Sequence, residues 1–295
     1  MSDPSRREFM HIGAASVAAM IVAGVKSKAA DPTSASNRDR RIRLGLVTYN
    51  WGRNWDLPTL ISKCEATGYE GVELRSTHKH GVEITLNKLQ REEVAKRFAD
   101  TAVVLAGLGS ACEYHSADEA VLKRNIDQTK AFIRLCHDVG GGGVKVRPNG
   151  VPKGVPVEKT LEQIGRALND VARFGEQFGV EIRLEVHGRG TNHLPHIKTI
   201  MEVADNKNVV VCWNCNQQDS DGEGLEHNFK LVQDRIGIIH IHDLRKSNYP
   251  WMTLFGLLKQ ANFIGWTLLE EGKTPPDLLG AMRENRRLWE KLVTL

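Results

Sequence analysis

The sequence predicts an α/β chain folded as one (β/α)8 barrel, running from about residue 38 onward. Three observations carry that reading. Short β-branched runs alternate with longer segments of helical period. There are eight such βα units, and about 250 residues is the usual size of a closed eight-unit barrel. The first strand also lacks what an open, doubly wound sheet carries. It runs into Thr48-Tyr49-Asn50-Trp51-Gly52-Arg53, with no glycine-rich phosphate loop.

The predicted strands are Ile42–Thr48, Gly71–Leu74, Val103–Leu108, Val144–Val146, Glu181–Val186, Val209–Trp213, Gly237–Ile241 and Thr267–Leu269. The helical stretches span 57–67, 87–100, 118–139, 158–178, 194–205, 224–234, 251–261 and 275–293. Gly68 and Gly140 follow the first and third helices. Pro156 and Glu158 open the fourth, and Gly179 follows its end. Leu161, Ile164, Leu168, Val171 and Phe174 form the apolar stripe of an amphipathic helix. Strict alternation forces a parallel sheet, because each parallel crossover needs a helix. The hydrophobic fraction of 41% can fill one large core. No internal repeat beyond the βα unit and no second domain is visible.

Residues 1–30 resemble a twin-arginine export signal. Ser5-Arg6-Arg7-Glu8-Phe9-Met10 precedes a weakly apolar run, Ile12 to Val25, and Ser27-Lys28-Ala29-Ala30 offers small residues for cleavage. A chance Arg-Arg pair on a frayed helix is the plainer reading. The apolar run is short of the ~20 residues a bilayer needs, so no stable membrane anchor is expected after processing. Residues 31–40 read as a polar linker, leaving 41–295 for the barrel and the periplasm as its compartment. The formal net charge is +4, and Arg6, Arg7, Lys26 and Lys28 against Asp3 and Glu8 place about half of it in the leader. So small a balance argues against a nucleic-acid partner. Apolar helix faces leave room for a homo-oligomer.

The five cysteines have no disulfide-scaffold density. Cys212-Trp213-Asn214-Cys215 is formally a C-x-x-C, but a redox motif would open a helix and here a polar loop follows. Packing at a strand end is the expected role.

In such a barrel the active site forms where the strands run out. Those ends are polar. Glu73-Leu74-Arg75, Lys145-Val146-Arg147 and Glu185-Val186-His187 end the second, fourth and fifth strands. Asn214-Cys215-Asn216, His240-Ile241-His242-Asp243 and Glu270-Glu271 end the last three. Side chains alternate with period two along a strand, so the polar members share the inward face. Buried charges of both signs are costly unless paired or bound to a metal. Carboxylates, an imidazole and an amide suit one divalent ion: Mn²⁺, Mg²⁺, Co²⁺ or Zn²⁺.

These residues carry a resemblance. Leu184-Glu185-Val186-His187, Cys212-Trp213-Asn214, Ile239-His240-Ile241-His242-Asp243 and Gly265-Trp266-Thr267-Leu268-Leu269-Glu270 resemble the xylose-isomerase-like superfamily of sugar isomerases and epimerases. Gly68-Tyr69-Glu70-Gly71-Val72-Glu73-Leu74 resembles its second strand. The resemblance spans the mature chain in order, nearest to exported sugar phosphate isomerase/epimerase-type members. It implies metal ligands at Glu185, Asn214, His242 and Glu270, with Asn214 standing where the family usually has Asp. That removes one negative charge and implies weaker binding. Asn216 is the fallback ligand if the register slips by two.

The resemblance also implies a carbohydrate substrate, whose proton Glu185 and Glu270 would trade through an enediolate. His187, Lys145 and Arg147 would orient hydroxyls or stabilise oxygens. Glu73 would support the ligands from behind or contact a substrate hydroxyl, and His240 and Asn216 are further substrate-contact candidates. Glu185→Gln is expected to abolish turnover and leave the fold intact. Lys145 and Arg147 pairing with Glu73 or Glu185 is the plainer reading, as is a hydrogen-bonded core histidine for His240. Trp51 and Trp55 either wall a sugar site or only pack. His78, His80, His115, His193 and His196 read as surface residues, with 75–81 a candidate lid. A lyase that dehydrates a ring polyol would use nearly the same site. An abasic-site endonuclease would need three metals and more ligands. A barrel that binds sugar without catalysis is the remaining alternative.

Overall fold

The computed structural model of the protein describes residues 41–294. The expected leader and linker, residues 1–40, lie outside the described residues. Eight parallel strands close into a barrel in chain order. They are β1 (Ile42–Val47), β2 (Gly71–Arg75), β3 (Val104–Glu113), β4 (Gly143–Arg147), β5 (Glu181–Glu185), β6 (Val209–Asn214), β7 (Ile236–Ile241) and β8 (Gly265–Leu269). The helices between and after them are α1 (Leu57–Thr67), α2 (Lys88–Ala99), α3 (Glu119–Asp138), α4 (Val157–Glu176), α5 (Leu194–Val203), α6 (Leu225–Lys230), α7 (Trp251–Gln260) and α8 (Leu278–Val293). Closure is made by β8 on β1, from Ile42 opposite Gly265 to Leu46 opposite Leu269. Among the described residues no helix is long and apolar enough to cross a membrane.

Local chemistry sets the helix ends. The Asp56 side chain accepts from the Thr59 amide at 3.0 Å and caps α1. Gly68, at φ 77°, receives its C-terminus. On α4 the stripe Leu161, Ile164, Leu168 and Val171 is buried against the barrel, as its period requires.

Two elements differ from expectation. α6 is one short helix followed by a 3-10 turn at Gln233–Arg235 rather than a continuous 224–234. β3 continues well past Leu108, to Glu113, because its glycines serve the barrel interior instead of ending the strand. A Cβ on Gly107 would lie 2.6 Å from Arg183 Nη1, and one on Gly109 would lie 2.9 Å from Glu73 Oε1.

The barrel interior holds both apolar and charged side chains. Val47, Ala106, Cys212, Ile238, Trp266 and Leu268 form a separate inner cluster. Arg43 stacks over Trp266 at 3.7 Å. Arg183, inward by the same parity as Glu185, pairs with Glu181 at 2.8 Å and donates to the Ala106 carbonyl at 2.8 Å.

Candidate active site

Glu185 from β5, His240 from β7 and Glu270 just past β8 converge at the C-terminal mouth of the barrel. Each offers one ligand atom, these atoms lie within 4.8 Å of one another, and all three residues are buried. His240 Nδ1 lies 3.7 Å from Glu185 Oε1 and 3.4 Å from Glu270 Oε2. On its other side, His240 Nε2 lies 3.5 Å from Glu73 Oε1. Lys145 Nζ donates to Glu185 Oε2 at 2.7 Å. Asn214 Nδ2 donates to Glu185 Oε1 at 3.2 Å.

The electrostatics follow from this packing. Burial opposes ionisation of Glu185, but the Lys145 ammonium and then His240 hold its carboxyl well below the usual range. Burial also opposes ionisation of Glu270, and His240 outweighs it, so that carboxyl is lowered too. Burial works against a charged His240, yet Cys212, Glu73 and Glu185 beside it raise it.

Several buried atoms here lack partners. Asn214 Oδ1, both His240 ring nitrogens and both Glu73 carboxylate oxygens have no hydrogen bond. Each such group costs roughly 1–3 kcal/mol, and more if charged. A divalent cation held by Glu185 and Glu270 would satisfy two of these atoms, Asn214 Oδ1 and His240 Nδ1. Glu185, Asn214, His240 and Glu270 supply two carboxylates, an amide oxygen and an imidazole, a donor set that fits such an ion.

One of the expected ligands stands apart from the group. The structure brings His240, not His242, to the two carboxylates. Both histidines share the inward parity, and the sequence reading took the deeper one, His240, as a core histidine or a substrate contact. β7 ends at Ile241, so His242 lies beyond the strand, where its Nδ1 bonds the Glu270 carbonyl oxygen at 2.7 Å. It lines a side cavity with Lys246, Tyr249, Trp251 and Glu271.

Other expected residues divide. His240, a member of the group, and Glu73 behind it are both 0% exposed. Arg147 turns to Glu113, a partner hidden from the sequence reading because β3 was expected to end earlier. Asn216 donates to the Asn214 carbonyl at 3.0 Å and stays outside the group. His187 is half-buried, with Nδ1 2.9 Å from Asn149 Oδ1. Burial lowers its pKa, against the pull of Glu185. Trp51 is fully buried and donates to the Lys273 carbonyl at 2.8 Å, a packing role. His80 is buried, not solvated, and ties the 75–81 loop through Arg75 O at 2.8 Å and Val82 N at 3.0 Å. Cys212 and Cys215 are free and buried.

Known proteins are similar to this chain in sequence or in fold. Inosose dehydratase of Mesomycoplasma hyopneumoniae (strain 7448) is 21% identical over 278 residues, covering 80% of this chain and 90% of that protein. L-ribulose 3-epimerase of Mesorhizobium japonicum is 22% identical over 243 residues, covering 75% and 78%. The crystal structure of an IolI protein with a bound zinc atom aligns at a TM-score of 0.73 and 18% identity, over 85% of this chain and 98% of that one. The family model described as xylose isomerase-like TIM barrel matches residues 61–292. The chain belongs to the xylose isomerase-like TIM barrel family.

Proposed function

We propose that the protein is a metal-dependent isomerase or epimerase of a small carbohydrate, exported to the periplasm by the twin-arginine route. One observation carries the reading. Two buried carboxylates, Glu185 and Glu270, flank one imidazole at the catalytic end of the barrel. The sugar-directed names of the relatives support the substrate class, and the Arg6-Arg7 leader supports the route.

Glu185, Asn214, His240 and Glu270 would hold the ion, which when bound polarises a substrate carbonyl and acidifies the neighbouring C–H. Glu185 and Glu270 then take and return the proton at carbon. Lys145 keeps Glu185 ionised and ready to accept it. Glu270, with a side chain 10% exposed, is the more open of the two, and Glu185 the deeper at 3%. His187 sits above the ring as a hydroxyl partner.

A second reading, dehydration of a ring polyol, has its own observation. The Lys145 ammonium on Glu185 places a cationic acid beside the base, as loss of a hydroxyl requires. Incubation of the metal-loaded protein with free ketoses and inososes in D2O separates the two. Deuterium gained next to the carbonyl without loss of water supports epimerisation, and release of water supports dehydration. Neither change across the panel would sink both.

A further inference from the structure

We infer that Glu73 is a positioning residue: its carboxylate accepts from the Nε2–H of His240, holds the proton on that nitrogen and so presents Nδ1 to the Glu185–Glu270 pair. The inference rests on the metal reading above and adds a residue that never touches ion or substrate.

The geometry points one way. Glu73 Oε1 faces His240 Nε2 at 3.5 Å, while Nδ1 faces the two other carboxylates. A neutral imidazole carries one N–H and one lone pair. A proton on Nδ1 would block ligation by the nitrogen that faces Glu185 and Glu270. A carboxylate on the far side favours the proton on Nε2 and frees Nδ1.

Glu73 has nowhere else to turn. It is 0% exposed, and neither oxygen has a hydrogen bond. Lys145, the nearest ammonium in the ring, is committed to Glu185. Arg183 below is committed to Glu181 and the Ala106 carbonyl. Cys212 also adjoins His240, but a thiol is a weak acceptor.

The backbone is shaped around this side chain. The β2–β3 register slips at Glu73: Val72 pairs with Leu105, but Glu73 pairs with Gly107, leaving Ala106 extra. Such a bulge re-aims a side chain and is common beside active sites. Gly109 leaves the carboxylate its space, since a Cβ there would lie 2.9 Å from Oε1. An unpaired buried carboxylate is costly to fold around, so two such accommodations for one argue for a use.

The test is metal affinity, read on the full-length protein by chelator competition with Zn²⁺ and by the visible spectrum of the Co²⁺ form. Glu73→Leu should bind roughly 10–100-fold more weakly than wild type, with altered Co²⁺ bands. Glu73→Gln keeps an acceptor and should recover part of the loss; a space-filling role alone would leave Leu and Gln alike. In a His240→Gln background, Glu73→Leu should cause no further loss. If Glu73→Leu fails to fold, Glu73→Gln against wild type decides: weaker binding supports the role. Wild-type affinity and spectrum in these variants, or an equal loss in both backgrounds, overturns it. A wild-type protein that binds neither ion overturns the metal reading and this inference together.

Discussion

Lys145 Nζ lies 2.7 Å from Glu185 Oε2, and both side chains are 3% exposed. Breaking a buried pair strands a charge and costs roughly 3–5 kcal/mol. Lys145→Met should therefore lose about that much stability when the metal-free protein is titrated with denaturant. Saturating Zn²⁺ should shrink the loss, because the ion supplies the missing positive charge beside Glu185. The same loss with and without Zn²⁺ would show that the ammonium and the ion do not share this carboxylate.

That pair also revises what removing the base should do. The sequence alone suggests that Glu185→Gln costs turnover and spares the fold. Here the substitution leaves Lys145 buried without its partner. Turnover should fall by roughly 10²–10⁴-fold, and stability should fall with it. Adding Lys145→Met to Glu185→Gln should restore stability but not turnover. A double variant no more stable than the single one would contradict the pairing argument.

The two histidines of β7 should separate cleanly. His240→Ala should abolish tight Zn²⁺ binding, since Nδ1 faces both carboxylates. His242→Ala should leave it nearly unchanged, since that ring bonds a backbone carbonyl outside the group. Calorimetric titration of each variant reads this directly. Retained affinity in His240→Ala with loss in His242→Ala would restore the register expected from sequence.

Alternation and parity explain why much of this was legible in the sequence. The βα period gave the barrel, and a period of two put Glu73, Lys145, Glu185, His240 and Glu270 on one face. The choice between two histidines was not legible. His240 and His242 have the same parity, and the resemblance implied the later one, whereas His240 is the one whose Nδ1 faces both carboxylates. Pairing across strands was equally hidden. Arg147 finds Glu113 only because β3 runs on past Leu108 through Gly109, where the predicted strand stops. Arg183 was within reach of the parity rule, one step below Glu185, but it lay below the strand ends where polar residues were sought.

Asn214 is the point where the donor ring departs from the resemblance. Its Oδ1 is buried and unpartnered, while Nδ2 donates to Glu185 Oε1 at 3.2 Å. Asn214→Asp should strengthen divalent-ion binding, because a third carboxylate would face the cation. In the metal-free protein the same change replaces a hydrogen bond with like-charge repulsion and should lower stability by roughly 1–3 kcal/mol. Melting with and without Zn²⁺ would show opposite signs. A variant destabilised equally in both conditions would mean that Asn214 does not face the ion.

Asp219 sets a pH signature away from the ring. It is 0% exposed, accepts from Tyr249 Oη at 2.7 Å and from the Asn216 amide at 3.1 Å through Oδ2, and leaves Oδ1 unpartnered. Burial pushes its carboxyl up to about 7, against those two donors. In the unfolded chain an aspartate titrates near ~3.9. Between those values the folded protein holds a proton that the unfolded chain has released. Stability from this group is therefore full below about 4, declines as pH rises to about 7, and is flat above that. At 1.36 kcal/mol per pH unit the decline is on the order of 4 kcal/mol. Asp219→Asn cannot ionise, so it should gain stability over wild type as pH rises from 4 to 8. Denaturant titrations at pH 4, 6 and 8 give that difference directly. A wild-type-to-variant gap that stays constant with pH would show that Asp219 is already ionised in the fold.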